Sequence, residues 1–276
     1  MGIVDSILNL AALLLWFNWR AVRFDPLAKR TPATLMGTLR PAAPKKIRRW
    51  HLPAVIGGLL FLRALFYWQI GSAANWAGRL DLGVIVIPFR SDWFWRTVLF
   101  SFLSFGVTLL VFYLWLLFFS ILSGPEPIQR FVKIQLGSID GWPRKIKLLL
   151  PLLVISLLWL PAGELFSWLQ LVPHPVSAAH RLEQSLVIAS GSYLVWKFPV
   201  AVLLMLHLLS SYIYFGRHPF WNYVGVTAQK ILSPLRKLPL RAGKVDFAPV
   251  VGIALLFLLA EQAGRMLLWI YGRLPF

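Results

Sequence analysis

The sequence alternates long apolar runs with shorter connections that hold most of its charged residues. The apolar runs cover residues 3–18, 52–70, 97–123, 147–171, 186–215 and 248–270. Because a transmembrane helix needs about 20 apolar residues, the second to sixth runs are long enough to span a bilayer. The first run ends in Trp16 and Trp19, and it either spans a thinned bilayer or lies in the interface. The pattern predicts an all-α polytopic transmembrane helix bundle of about six spans.

Composition agrees with a location in the membrane. Of the 276 residues, 58% are hydrophobic and 14% are charged, and the mean hydropathy is +0.70. Soluble chains have roughly 45–50% apolar and about 25% charged residues, so an ordinary soluble domain is excluded. The apolar run 82–89, between Asp81 and Arg90, is too short to span, and we expect it to be interfacial or re-entrant.

The basic residues are distributed unevenly between alternate connections. Three connections, residues 19–51, 124–147 and 216–247, hold twenty of the 28 Lys and Arg residues, whereas the opposite side has five. Positively charged connections stay in the cytoplasm, so the count predicts six crossings with both termini outside. This asymmetry explains most of the net charge of +18 without nucleic acid, although the same connections also suit anionic lipids or a partner.

The first of these connections also contains a dense basic cluster among prolines. Its last residues include Lys45, Lys46, Arg48 and Arg49. A proline-containing basic segment beside a span is expected to be extended and to lie on anionic headgroups or on a partner protein.

Two connections carry the same short motif, Gly-x-(Ile/Val)-Asp-x-x-Pro. Its defining residues are Gly137, Asp140 and Pro143 in the first copy and Gly243, Asp246 and Pro249 in the second. Corresponding positions are 106 residues apart, as are Trp115 and Trp221. Because two spans separate the copies, both lie on one membrane face and the internal repeat is parallel. The predicted domains are an N-terminal extension, 1–94, and two repeats, 95–180 and 181–276.

The motif is suited to starting a membrane helix. Glycine permits a bend with positive φ, and an aspartate at the N-cap accepts hydrogen bonds from amides that have no partner within the helix. With Asp140 and Asp246 as N-caps, the prolines fall in the first helical turn, where they are tolerated. The alternative is that the two aspartates bind a partner or a cation.

The order of span, basic proline-containing turn, motif and second span resembles the YggT family of bacterial membrane proteins, also called YlmG. In that family the motif reads Gly-Gly-(Ile/Val)-Asp-x-(Ser/Ala)-Pro. The second copy has Ala248 at the small position and Lys244 in place of the second glycine, whereas the first has Trp142 and Ser138 there. The resemblance covers about residues 95–272. It implies a small integral protein of the bacterial inner membrane without established enzymatic activity, linked to division, osmotic or ion homeostasis, or assembly of membrane complexes.

Charged residues inside the predicted spans are candidates for function. Glu261 and Arg265 are four residues apart, so they share a helix face and can form an ion pair. Together with Glu164 and Lys197 they form a candidate charge network in the outer half of the membrane, either as packing or as a pathway for an ion or proton. Arg63 is a further charge, in the second span.

Motifs for catalysis and cofactor binding are missing from the sequence. It has no cysteine, no P-loop, no Gly-x-Ser-x-Gly elbow and no HExxH metal motif, and it shows no histidine pair at matched depth for haem. We therefore expect no cofactor, no metal and no enzymatic activity. The leading prediction is a membrane scaffold, assembly factor or accessory subunit that binds the bilayer and other membrane proteins or a second copy. The alternative is an ion channel or transport component using the charged residues of the last spans.

Overall fold

The computed structural model describes residues 2–24, 50–73, 77–90, 93–122, 128–213, 216, 218–235, 240–242 and 245–274. The described residues are mostly helical, so the predicted all-α class is confirmed. The basic cluster of Lys45, Lys46, Arg48 and Arg49 lies outside the described residues, as does Gly243.

The elements are numbered in chain order. The helices are α1 (Gly2–Phe24), α2 (His51–Ala73), α3 (Phe94–Leu122), α4 (Ile128–Leu136), α5 (Arg144–Trp168), α6 (Ala178–Gly191), α7 (Lys197–Tyr212), α8 (Pro219–Ile231) and α9 (Ala248–Tyr271). The strands are β1 (Ala77–Asp81), β2 (Val86–Arg90), β3 (Arg241–Ala242) and β4 (Val245–Asp246). Two short 3₁₀ segments, Gly137–Gly141 and Ser192–Trp196, precede α5 and α7.

Six helical stretches among the described residues are long and apolar enough to cross a membrane, as predicted. They are Gly2–Arg20, His51–Gly71, Phe94–Leu122, Arg144–Trp168, Ala178–Tyr212 and Ala248–Tyr271. The fifth differs from a simple span, because the 3₁₀ segment Ser192–Trp196 separates α6 from α7 within it. These helices give the chain the architecture of a multi-pass membrane protein.

The chain divides into two compact units. The first contains Met1–Gly78 and Phe89–Leu109, and the second contains Arg79–Pro88 and Leu110–Phe276. These units are defined by contacts within the fold and not by the repeated motif. The predicted division into an N-terminal extension and two repeats, at residues 94 and 180, therefore stays a prediction.

The first unit packs α1 against α2 and the first half of α3. Its core contains Ala12, Ile56, Leu60 and Phe105. Ser101 Oγ on α3 donates a hydrogen bond of 2.7 Å to the Leu60 carbonyl on α2, so the two helices are joined by a polar contact as well. Small and apolar side chains at these positions allow close helix packing where lipid provides no hydrophobic driving force.

The second unit contains α4 to α9. α5 packs against α6, and α7 packs against α8 and α9. Two apolar clusters on α7 and α8 centre on Leu203 with Tyr223 and on Leu204 with Ala228. Burial raises the pKa of the Tyr223 phenol. Gly252 on α9 lies close to this second cluster, where a methyl group would crowd its leucines.

Residues 77–90 form a β-hairpin, in which the segment 82–89 supplies the turn and most of the second strand. Its expected interfacial or re-entrant location stays a prediction. Strands β1 and β2 pair, and the turn between them places Gly83 at φ +83°. The Gly83 N–H donates to the Asp81 carboxylate at 2.7 Å, which fixes the turn. In the second unit, the Val84 side chain at this turn packs so closely on α6 that a methyl group at Gly191 would overlap it. Burial alternates along β1, as expected for a strand with one face packed on the protein.

Each copy of the motif directly precedes a long apolar helix, α5 or α9, as predicted. Trp115 and Trp221, although 106 residues apart, do not occupy equivalent positions in the fold, because Trp115 lies in the long helix α3 whereas Trp221 lies in the short helix α8. The connection before the second motif, from Tyr212 to Gly243, is longer than the connection from Leu122 to Gly137. The parallel repeat beyond the motif remains a prediction.

Candidate functional site

The first motif builds a buried ion cluster between the end of α3 and the start of α5. Gly137 has φ +62°, which lets the chain turn into the 3₁₀ segment that carries Asp140. Ser120 Oγ donates a hydrogen bond of 2.5 Å to the Asp140 carboxylate. Lys147 Nζ donates to Ser120 Oγ at 2.7 Å and to the Asp140 carbonyl at 2.6 Å, and lies 3.8 Å from the carboxylate. The cluster therefore joins α3, the motif and α5.

The prediction that Asp140 caps α5 is wrong. The N-cap of α5 is Pro143, and no side chain forms a capping hydrogen bond there. The Asp140 carboxylate is bound instead by Ser120 and by Lys147, whose side chain is only 8% exposed. A buried ammonium needs an opposite charge and hydrogen-bond acceptors, and this requirement determines the position of the carboxylate.

The second motif holds its aspartate at the start of α9, but the prediction that Asp246 is the N-cap residue is wrong. The Asp246 carboxylate accepts a hydrogen bond of 2.9 Å from the N–H of Ala248, the first residue of α9. Phe247 occupies the N-cap position, so the aspartate lies one residue earlier than expected. Pro249 lies in the first helical turn, where its missing N–H leaves no hydrogen bond unmade.

A further difference between the two copies follows the motif. Four residues after the motif proline, the first copy has Lys147 and the second has Ile253. Since isoleucine offers no cation, the second aspartate keeps its role at the helix terminus. The two copies therefore have different local chemistry.

The predicted charge network in the outer half of the membrane separates into local interactions. Glu164 pairs with Arg181 at 2.6 Å, and Lys197 Nζ lies 5.1 Å from the ring centroid of Phe198. Among the described residues, no carboxylate forms an ion pair with Lys197. The expectation that four residues meet as one network is therefore corrected.

The predicted pairing on the last span is confirmed. Arg265 Nη2 lies 2.5 Å from Glu261 Oε1 across one turn of α9. Both side chains are at the protein surface, with Glu261 56% exposed and Arg265 67% exposed. Gln262 is exposed beside them. A polar stripe thus lies on the outside of an otherwise apolar helix.

The first unit contains a polar cluster that was not predicted from the sequence. The Arg63 side chain on α2 is fully buried, and its guanidinium lies 2.7 Å from the Asp5 carboxylate and donates to Asn9 Oδ1 at 2.7 Å. Tyr67 Oη donates to the same Asp5 carboxylate at 2.6 Å. Asn9 Nδ2 donates to Ser104 Oγ on α3 at 3.0 Å. Three helices of the unit are therefore joined through Arg63 and its partners.

A sequence pattern could have indicated this cluster. Asp5 and Asn9 are four residues apart, as are Arg63 and Tyr67, so each pair shares one face of its helix. Polar residues inside spans face other helices, which makes α1 and α2 natural neighbours.

The described residues contain no group of three or more His, Asp or Glu side chains that could hold a metal ion. The candidate sites are thus ion pairs and surfaces. Comparisons with protein-family models, with curated proteins and with solved structures gave no match.

Proposed function

We propose that this multi-pass membrane protein is a non-enzymatic scaffold, assembly factor or accessory subunit of a membrane complex. The YggT-like motif supports this function, and with it a place in the bacterial inner membrane with both termini outside. The observation that carries the proposal is the exposed ion pair of Glu261 and Arg265 on α9.

The depth of this ion pair makes its exposure significant. At 1.5 Å per residue, Glu261 lies about 20 Å along α9 from Ala248, well inside a hydrocarbon core of about 30 Å. Charged side chains at such depth are costly in contact with lipid, and they normally face protein or a water-filled cavity. The exposed polar stripe of Glu261, Gln262 and Arg265 is therefore best satisfied by another protein.

The expected occupant is a transmembrane helix of another membrane protein that carries polar side chains at this depth. Glu261 and Arg265 already neutralise one another, so the partner needs no net charge. Hydrogen-bonding side chains such as Ser, Thr, Asn or Gln form interhelical contacts of this kind in membranes.

The local pairing of intramembrane charges favours this function over ion transport. Glu164 interacts with Arg181, and Lys197 lies beside an aromatic ring. Side chains that are held in separate pairs suit helix packing and docking better than a continuous conducting path.

Photo-crosslinking in native membranes tests the proposal. A photoreactive amino acid at Gln262 should form an adduct with another membrane protein, and the adduct should be lost in the double variant Glu261→Leu, Arg265→Leu. The matched control is the same probe at Leu157, an exposed apolar position on α5, which should react mainly with lipid.

The adducts have three informative outcomes. A partner peptide from a transmembrane segment, dependent on Glu261 and Arg265, supports the scaffold or subunit function. Adducts with a second copy of this chain would instead show self-association through α9. Lipid adducts alone at Gln262 would refute the docking surface.

A further inference from the structure

A pocket of about 560 Å³ opens beside the Asp140 cluster in the second unit. Its walls come from the last turn of α3, the start of α5 and the end of α8. Three cationic side chains line it, Arg144, Lys147 and Lys230, and Ser120 lies among them. Three cations in one concave site favour an anion.

Of the three cations, Lys147 is the one that pairs with a carboxylate among the described residues. Asp140 balances the charge of Lys147 through the 3.8 Å ion pair. Among the described residues, no carboxylate pairs with Arg144 or Lys230, and both side chains are exposed. Within the described part of the chain, the pocket therefore has two cations without a carboxylate partner beside a buried, preorganised ammonium, which suits a phosphate group.

The remaining lining is apolar and lies at the ends of membrane spans. Leu122 ends α3, Ile231 ends α8, and Trp142 precedes α5. Next to Lys147 along α5, Leu148 and Leu149 are exposed leucines. Cations above an apolar helix surface match an amphiphile, whereas a small soluble anion would contact the polar half alone.

We propose that this pocket binds the phosphate group of an anionic phospholipid headgroup, with the acyl chains beside the start of α5. Arg144 and Lys230 contact the phosphate, and Lys147, held by Ser120 and Asp140, adds positive potential at the base. The site is distinct from the basic cluster at residues 45–49 and from the polar stripe on α9, and it does not depend on the proposed scaffold function.

Lipid titration of the full chain in neutral detergent tests this site. The probes are short-chain phosphatidylglycerol, short-chain phosphatidylcholine and inorganic phosphate, measured by calorimetry at high salt, where diffuse surface attraction is screened. The pocket variant is Arg144→Gln, Lys230→Gln. The matched control is Arg130→Gln, Lys133→Gln, which removes two exposed cations from α4 outside the pocket.

We expect phosphatidylglycerol to bind more tightly than phosphatidylcholine or inorganic phosphate. The pocket variant should weaken phosphatidylglycerol binding about 100-fold, since each direct charge-assisted contact with the phosphate contributes about tenfold. The control variant should change binding less than about threefold. The charge-conserving variant Arg144→Lys, Lys230→Arg should still bind, which separates loss of charge from misfolding.

Other results would overturn the proposal. An equal loss in the pocket and control variants would show diffuse attraction without a site. Inorganic phosphate binding as tightly as the lipid would assign the pocket to a soluble phosphate compound. Absence of phosphatidylglycerol binding in the unsubstituted chain would remove the site altogether.

Discussion

Replacing Arg63 by methionine should destabilise the first unit, and replacing Asp5 as well should restore much of the loss. Arg63 is fully buried and holds Asp5 and Asn9 at 2.7 Å each, so either single change leaves a partner uncompensated. Replacing both charged residues with apolar ones removes that penalty.

The expected magnitudes follow from burial. Loss of one partner of a buried ion pair costs about 3–5 kcal/mol. Asp5 retains 20% exposure, so Arg63→Met should cost less, about 2 kcal/mol, whereas Asp5→Leu strands the fully buried guanidinium and should cost about 3 kcal/mol. The double variant should lose about 2 kcal/mol or less, because Asn9 and Tyr67 still lose a hydrogen-bond partner. The coupling energy is therefore about 3 kcal/mol.

Steric trapping in bicelles measures the free energy of unfolding needed for this double-mutant cycle. Thr108→Val is a suitable control, because it removes a hydrogen bond within α3 and leaves the interhelical cluster intact. We expect the control to change the unfolding free energy by less than about 0.5 kcal/mol. Additive effects of Asp5→Leu and Arg63→Met would refute the buried pair as a coupled structural element.

Two further substitutions test the motif and the interrupted span. Asp246→Leu should lower the unfolding free energy by about 1 kcal/mol, whereas Asp246→Asn, which can still accept the hydrogen bond from the Ala248 N–H, should change it little. Complete loss of function in both variants at unchanged stability would contradict the capping role. Trp115→Phe and Trp196→Phe should each lower the free energy of unfolding by about 1 kcal/mol. The indole N–H of Trp115 donates to the Val195 carbonyl at 3.3 Å, and that of Trp196 donates to the Leu114 carbonyl at 3.0 Å. An unchanged free energy of unfolding in the double variant would show that these hydrogen bonds do not support the 3₁₀ segment.

The six apolar stretches could be predicted because span length and hydropathy are local properties of the sequence. The ion pair of Glu261 and Arg265 was predictable for the same reason, since helix geometry alone brings residues four apart together. Local patterns also indicated that a long helix follows each motif.

Contacts between distant segments were harder to predict. Asp140 was expected to cap a helix, but its carboxylate interacts with Ser120 and Lys147 instead. That arrangement depends on how α3 packs against α5, which the local sequence does not determine. The Arg63 cluster likewise depends on the register of α1 against α2, across a long connection. The hairpin at 77–90 was missed because its short apolar strand resembled an incomplete span.

The buried Arg63 cluster also has a consequence for synthesis at the translocon. An arginine near the centre of a span opposes membrane insertion by about 2.5–3.5 kcal/mol when the helix enters alone. Because α1 is synthesised before α2 and carries Asp5 and Asn9, it can provide hydrogen bonds to α2 during insertion. Cotranslational insertion of the second span should therefore depend on the first span remaining nearby, so that α1 serves as an intramolecular insertion partner for α2.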